Sequence, residues 1–375
     1  MPKILPARPA KARNLAGVAT EMVRSLGGRG DWLAPAESAV AIVVDGLGAI
    51  QLRAHAAHAR HLARAMGRRQ VAQTVFPSTT AAALGSFLTG VWPGEHGLVG
   101  YRVLDPDRDR LANQLNGYEK DGLDPAAWQR SSTVFERATG IRSYSVGHAE
   151  YRATGFTRAL QRGAEFIAED DLTDRVQVAC ALASQRPGSF VYCYIPELDK
   201  AGHRHGVDSD AWRETLEAID SAIRPALSLP HGVGALVTAD HGMVDVPRNR
   251  HVLLRAGDPR LDGVRHLGGE PRLVHVYADS GVDIDELAAR WREESGAYAD
   301  VSMRDEAIAD GLFGASVAPH VRGRIGDVLV AARGDVAFYD DRLRNKDPQK
   351  MIGQHGSVTP EEMTVPLIRF GAYAG

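Results

Sequence analysis

Cysteine is nearly absent: Cys180 and Cys193 are the only two in 375 residues. Two thiols cannot build a disulfide framework, and they cannot supply a four-thiolate zinc site. Long hydrophobic runs are missing as well. The best candidate, Ala39 to Ile50, is short and interrupted by Asp45, so nothing approaches the roughly 18–20 apolar residues of a membrane-spanning helix. Neither sign of charge dominates. The 44 Lys+Arg stand against 47 Asp+Glu, a formal net charge of −3, which gives no electrostatic case for a nucleic-acid duplex as partner. The basic N-terminus lacks the apolar core of about 7–15 residues that a secretory signal carries. These absences set the expectation of a cytoplasmic protein with no membrane partner. What is present is ordinary: 44% hydrophobic and 24% charged residues exclude wholesale disorder and collagen-like order. At roughly 150 residues per domain the length suggests two units, or one large α/β domain with an insertion.

Periodicity organises the chain. Residues 1–13 read as a loose basic lead-in, and Leu15, Val18, Met22, Val23 and Leu26 recur at helical spacing before Gly27-Gly28 ends the pattern. Ala39–Val44 is a continuous apolar run closing on Asp45-Gly46, the mark of a buried strand entering a tight loop. Helices are expected at 49–66, 81–88, 158–168, 172–185 and 208–226, and strands at Ser143–Val146, Phe190–Ile195 and Ala235–Thr238. Strands alternating with helices imply a mostly parallel sheet covered on both faces. Past Asp245 the texture turns Gly-, Arg- and Asp-rich, with a strand at Leu273–Tyr277 and an amphipathic helix at 283–294. Asp327–Ala332 and Val336–Tyr339, split by Arg333-Gly334-Asp335, resemble a hairpin, and Thr364–Phe370 is placed back in the main sheet. The expected organisation is a catalytic core over 30–250 and 321–375, an inserted α+β subdomain over 251–320, and a lead-in with a helix over 1–29.

Four positions carry metal-binding side chains just past a strand or at helical spacing. Asp45 follows Ile42-Val43-Val44, and a carboxylate at the end of such a strand points into the crevice where open α/β sheets bind ligands. Asp199 and His203 stand four residues apart, so one face of a helical turn can present both to a cation. Asp240-His241-Gly242 follows Ala235–Thr238, with Gly242 expected to permit the sharp turn that aims both ligands at one ion. His355 lies in a glycine loop, Gly353-Gln354-His355-Gly356. Each has a bland alternative: a turn aspartate, a surface ion pair, a solvated histidine. Together they supply three aspartates and three histidines, about what two metal ions some 4 Å apart need. Mixed oxygen and imidazole donors suit zinc first, with manganese or iron as alternatives. Thr79-Thr80 opens the 81–88 helix, where a hydroxyl beside free N–H groups suits a phosphate; one residue can cap and the other react.

These residues resemble the alkaline phosphatase superfamily, and more closely its type I phosphodiesterase and nucleotide pyrophosphatase branch. The resemblance rests on Val44-Asp45-Gly46, Phe76 to Gly90 with Pro93 and His96-Gly97, Asp199-x-x-x-His203, Asp240-His241-Gly242 and Gln354-His355-Gly356, in the family's order across residues 41–357. It implies an alkaline-phosphatase-like three-layer α/β sandwich and two divalent cations. Asp199, His203 and His355 would hold one cation; Asp45, Asp240 and His241 would hold the other, with Thr80 as a further ligand. The family's nucleophile stands nine residues before a Thr-Gly pair, here Thr89-Gly90, which selects Thr80 over Thr79. The implied substrate is a small phosphate ester or nucleotide, attacked by Thr80 to give a phosphothreonine intermediate. One departure concerns the substrate: the family's asparagine past the His-Gly element falls on Tyr101, so Tyr101 and Arg102 become the candidate substrate contacts.

Relatives of this branch are weighed by the same residues. A sulfatase would need Cys or Ser in a C/S-x-P-x-R context, and Cys193-Tyr194-Ile195-Pro196-Glu197 does not supply it. A mutase-like phosphotransferase normally uses serine, which Thr80 argues against. A phosphomonoesterase, a phosphonate C–P hydrolase and an inactive nucleotide-binding member remain as alternatives, though the intact ligand set weighs against the last. Diesters or pyrophosphates are expected to be hydrolysed better than monoesters, because no extra cation is evident for a monoester's second charge.

Overall fold

A computed structural model describes residues 13–374; most of the expected lead-in, residues 1–12, lies outside the described residues. A seven-stranded sheet forms the centre. In spatial order its strands are Val71–Gln73, Thr364–Gly371, Val233–Thr238, Ser38–Val44, Ser189–Ile195, Arg142–Gly147 and Glu165–Ala168. The last five run parallel, whereas Thr364–Gly371 pairs antiparallel with Val233–Thr238 and with Val71–Gln73. The expected mostly parallel central sheet is therefore present. Ser38–Val44 is buried along its whole length, because it is central in the sheet and covered on both faces; that is why it reads as unbroken apolar sequence.

The two faces are legible in the strand Ser189–Ile195. Phe190 and Tyr192 meet Phe135 and Phe87 on one side, while Cys193 faces the backbone of helix Leu172–Gln185 on the other. Side-chain alternation along the strand thus serves two helical layers. Both cysteines are free and buried; burial pushes the Cys180 thiol up to about 12 and the Cys193 thiol higher still, so neither is a reactive thiolate at neutral pH. No described helix is long and apolar enough to cross a membrane.

A second, antiparallel sheet of six strands runs in the order Ala299–Met303, Val328–Ala332, Leu273–Ala278, Val264–Glu270, Arg102–Asp105 and Arg110–Asn113. Helix Ile284–Ser295 covers it, burying Trp291 against Phe338 and a cluster that includes Val276, Val328 and Val330. This sheet draws strands from 102–113 and 328–332 as well as from 251–320.

Three expected elements come out differently. Val328–Ala332 and Ala337–Asp340 do not form a hairpin: the first lies inside the second sheet, and the second pairs parallel with His251–Leu254. The reason is that Val328–Ala332 has both edges occupied, by Leu273–Ala278 and by Ala299–Met303; the buried Arg272 holds the connecting turn, its Nη1 donating to Gly334 O and Val336 O at 2.6 Å each. The expected helix at 158–168 ends at Leu160, and Glu165–Ala168 is an edge strand; Gly163, at φ +90°, turns the chain between them. The expected helix at 49–66 is interrupted by a 3-10 turn at Ala56–His58.

Candidate active site

The strand register sets the site. Val44 pairs with Ile195 and Val43 with Thr238, so three neighbouring parallel strands end level and release their loops into one crevice. Asp45 follows the first, Asp199 and His203 ride on helix Glu197–His205 after the second, and Asp240-His241 follow the third. Helix Thr80–Thr89 presents Thr80 at its first position, and His355 enters from the loop before Thr364–Gly371. Two glycines allow the loops to converge. A Cβ on Gly46, at φ +75°, would stand 3.1 Å from Asp199 Cα. One on Gly242 would lie 1.9 Å from Glu361 O; Gly242 is required by that close approach and not by a positive φ.

Every expected metal ligand is brought together here. His203 Nε2 lies 3.3 Å from Asp199 Oδ2 and 3.3 Å from His355 Nε2, and His355 Nε2 is 3.8 Å from Asp199 Oδ1. His241 Nε2 lies 3.4 Å from Asp45 Oδ1, 3.5 Å from Asp240 Oδ2 and 3.2 Å from Thr80 Oγ1. The His241 and His355 rings stack with centroids 3.6 Å apart. Asp199, His203 and His355 form one compact donor group, and Asp45, Asp199 and His241 form another, so Asp199 reaches both.

Hydrogen bonding shows what the group is built to hold. His203 Nδ1 donates to Gly353 O at 2.8 Å, His355 Nδ1 to Ser78 O at 3.0 Å, and His241 Nδ1 to Gly242 O at 3.1 Å. Each carbonyl can only accept, so each neutral imidazole turns an Nε2 lone pair inward, the tautomer of a metal ligand. Two such lone pairs face each other at 3.3 Å between His203 and His355, an arrangement that a cation between them would relieve. Buried Asp45 Oδ1, Asp199 Oδ1 and Asp240 Oδ2 have no hydrogen-bond donor, which costs about 1–3 kcal/mol each if nothing binds them. Burial, with the Asp240 and Asp199 carboxylates beside it, pushes the Asp45 carboxyl well up; burial raises Asp240 too. Burial and the His241 and His203 imidazoles push His355 well below its usual range. Divalent cations relieve all of these, and the residues fit them.

A family model described as type I phosphodiesterase / nucleotide pyrophosphatase matches residues 39–358. The chain belongs to this family. An ectonucleotide pyrophosphatase/phosphodiesterase of Caenorhabditis elegans is 24% identical over 300 residues, covering 75% of this chain and 33% of its own length. Ectonucleotide pyrophosphatase/phosphodiesterase 1 of Saccharomyces cerevisiae is 26% identical over 255 residues, 55% of this chain and 33% of its own. The chain thus spans about a third of the length of these curated relatives. Among solved structures, murine ectonucleotide pyrophosphatase/phosphodiesterase 5 superposes with a TM-score of 0.65 at 18% identity, covering 89% of this chain and 88% of that one. A phosphonoacetate hydrolase from Sinorhizobium meliloti 1021, in complex with phosphonoacetate, gives 0.68 at 20% identity with 90% of both chains covered. Both show the fold.

A cavity of about 330 Å³ opens over Asp45, Asp199, His203 and His355, lined also by Thr80, Tyr101, Tyr194, Lys200 and Glu270. Tyr101 is on its wall and Arg102 is not, because Arg102 starts a strand of the second sheet and pairs with Asn113 and Gly269. Three participants escaped the sequence reading. Tyr194 donates its hydroxyl to Asp45 Oδ2; its register opposite Val43, one strand over, was the available signal. Glu362 is fully buried: Oε1 accepts from Ser357 N at 2.9 Å, Oε2 accepts from Arg272 Nη2 at 2.8 Å, and its carbonyl accepts from Gly242 N at 2.9 Å. One residue so ties the His355 loop, the His241 loop and the second sheet together. Its capping box with Thr359 is local; Arg272, 90 residues away, is not.

Glu270 is the third. It ends strand Val264–Glu270, is buried, and its Oε1 has no partner. Burial pushes its carboxyl up to about 8 from an ordinary 4.5, the Glu362 carboxylate adds to this, and a hydrogen bond from Thr79 opposes it. A carboxyl raised in the fold binds more protons folded than unfolded, so ionising it destabilises the protein as pH rises from 4.5 through about 8. In chelated protein, Glu270→Gln should melt above the parent at about pH 8–9. The gain should shrink on acidification and vanish near pH 4.5; thermal melts across that range check it, and a gain independent of pH would refute the assignment.

Proposed function

We propose that the protein hydrolyses phosphodiesters or nucleotide pyrophosphates through a phosphothreonine intermediate on Thr80, at a site for two divalent metal ions with zinc as first choice. The observation that carries this reading is the placement of Thr80 Oγ1, 3.2 Å from His241 Nε2 at the open end of a helix. Thr79, the residue before the helix, makes no side-chain cap to it, which leaves first-turn N–H groups to meet the phosphoryl oxygens. Asp199, His203 and His355 would hold one ion, and Asp45, Asp240 and His241 the other. Bound there, the ions would make the threonine hydroxyl acidic enough to react and oppose charge on the phosphoryl oxygens.

Thr80 Oγ forms the bond to phosphorus as the bond to the leaving oxygen breaks. Water then cleaves the phosphothreonine, restoring Thr80 and releasing a phosphate monoester, or a nucleoside monophosphate where the substrate is a nucleotide pyrophosphate. Tyr194 holds Asp45 in place throughout by its hydroxyl. Burial, with Asp45 and Asp240 nearby, keeps that hydroxyl protonated. An inactive threonine-to-alanine variant of the murine relative in complex with AMP, 17% identical with a TM-score of 0.64 over 89% of this chain and 88% of that one, is in keeping with a threonine-centred site. The test is kcat/KM of metal-replete protein on bis-nitrophenyl and mono-nitrophenyl phosphate. A diester preference of tenfold or more, about 1.4 kcal/mol in the transition state, is expected. A monoester preference of that size would move the protein to another branch of the superfamily.

A further inference from the structure

The catalytic cavity has to receive more than the phosphoryl group beside Thr80, and its charge is uneven. The carboxylates on its wall are Asp45, Asp199 and Glu270, and among the described residues lining it Lys200 is the sole lysine or arginine. Arg102, the basic residue that sequence favoured, is elsewhere. Lys200 directly follows Asp199 on helix Glu197–His205, so the backbone that carries it is held by the same helix that carries Asp199 and His203. Its ammonium is loosely engaged. Nζ is 3.6 Å from Glu150 Oε1, with both side chains more than half exposed, and such a pair contributes little and exchanges readily. Tyr151 also engages it, by a side-chain hydrogen bond and with its ring 5.7 Å from Nζ, without neutralising it. Tyr151, Tyr194 and Leu115 also wall an adjoining cavity of about 290 Å³ lined by Leu84, Phe156 and Tyr192. An uncharged part of a substrate has that recess, which Asn116, Glu119 and Gln161 also line, available, whereas a further anionic group finds one lysine or arginine among the described residues lining the catalytic cavity, Lys200.

We propose that Lys200 is a specificity-determining residue that recognises a second phosphoryl group of the substrate, favouring nucleoside polyphosphates and pyrophosphate-linked molecules over esters with a single phosphoryl. The proposal rests on the phosphate-ester reading above. On a nucleoside triphosphate, the Thr80 Oγ–Pα bond forms, the Pα–O bond to the β-phosphoryl breaks, and pyrophosphate departs with its charge partly offset by the ammonium. Lysine suits this task as a mobile point charge that follows a leaving group, and its effect fades as salt screens it.

The experiment compares metal-replete parent, Lys200→Ala and Lys200→Arg on two substrates: a nitrophenyl ester of a nucleoside monophosphate, with one phosphoryl, and a nucleoside triphosphate. Lys200→Ala should lower kcat/KM on the triphosphate tenfold or more, mainly through KM, and change the single-phosphoryl ester less than twofold. Lys200→Arg should restore most of the loss, and the difference should narrow at high salt. Equal losses on both substrates, or an unaffected triphosphate, would overturn the proposal. Calorimetric binding of ADP and AMP reads Lys200 without turnover. ADP should bind parent at least tenfold tighter than it binds Lys200→Ala, with AMP nearly unchanged; equal ADP binding refutes Lys200 even if turnover is seen. A parent inactive on both esters that still shows the ADP difference would refute the hydrolase reading and leave Lys200 as a diphosphate contact.

Discussion

Thr80→Ala should lower kcat on bis-nitrophenyl phosphate by at least about a thousandfold, since removing a nucleophile deletes the covalent route. Fold and most of the metal content should survive. Thr80 is a small side chain at the first turn of a helix whose ten residues are all buried, and the six carboxylate and imidazole donors remain. Thr79→Ala should be far milder, because Thr79 makes no cap to the helix and its hydroxyl serves Glu270. Rates, elemental analysis and far-UV circular dichroism on both variants decide the matter. An inactive Thr79→Ala beside an active Thr80→Ala would shift the nucleophile by one residue. Activity in both would dispose of the phosphothreonine.

Asp199→Ala should damage metal binding more than any other single ligand change. Asp199 belongs to both compact donor groups, one with His203 and His355 and one with Asp45 and His241. The parent is expected to carry about two ions per chain. Asp199→Ala should fall below one after dialysis, whereas His203→Ala should lose one ion and keep the other. Chelation should abolish turnover, and zinc add-back should restore it. Because the ions bind the folded site, add-back at a thousand times the dissociation constant should stabilise the fold by about 4 kcal/mol, visible as a higher melting temperature. Full activity after exhaustive chelation would sink the two-ion site.

Much of this site was legible because its parts are local. Asp199 and His203 share a helical face by spacing alone, and the structure places them 3.3 Å apart. Asp45 and Asp240-His241 were readable as residues past apolar runs, since a strand buried on both faces has few other sequences available to it. Thr364–Phe370 was readable as a strand for the same reason. Tyr194 and Glu270 carried no local signal. A tyrosine in a hydrophobic strand looks like core until the neighbouring strand's register puts its hydroxyl on Asp45.

Sequence by itself therefore determined the alternation of strands and helices, the three parallel strands that end at the crevice, and the places along the chain where candidate donor residues stand. All of these follow from periodicity and short spacings, where covalent geometry dictates which side chains share a face. Tertiary structure decided the rest. It made Asp199 common to both donor groups, drew Val328–Ala332 into the second sheet and turned Arg272 to the carbonyls of the turn that follows. It put Lys200 on the cavity wall where Arg102 had been expected. Each of these depends on contacts between residues tens to hundreds of positions apart, whose register is set by the packing of the whole sheet and leaves no trace in any single stretch of chain.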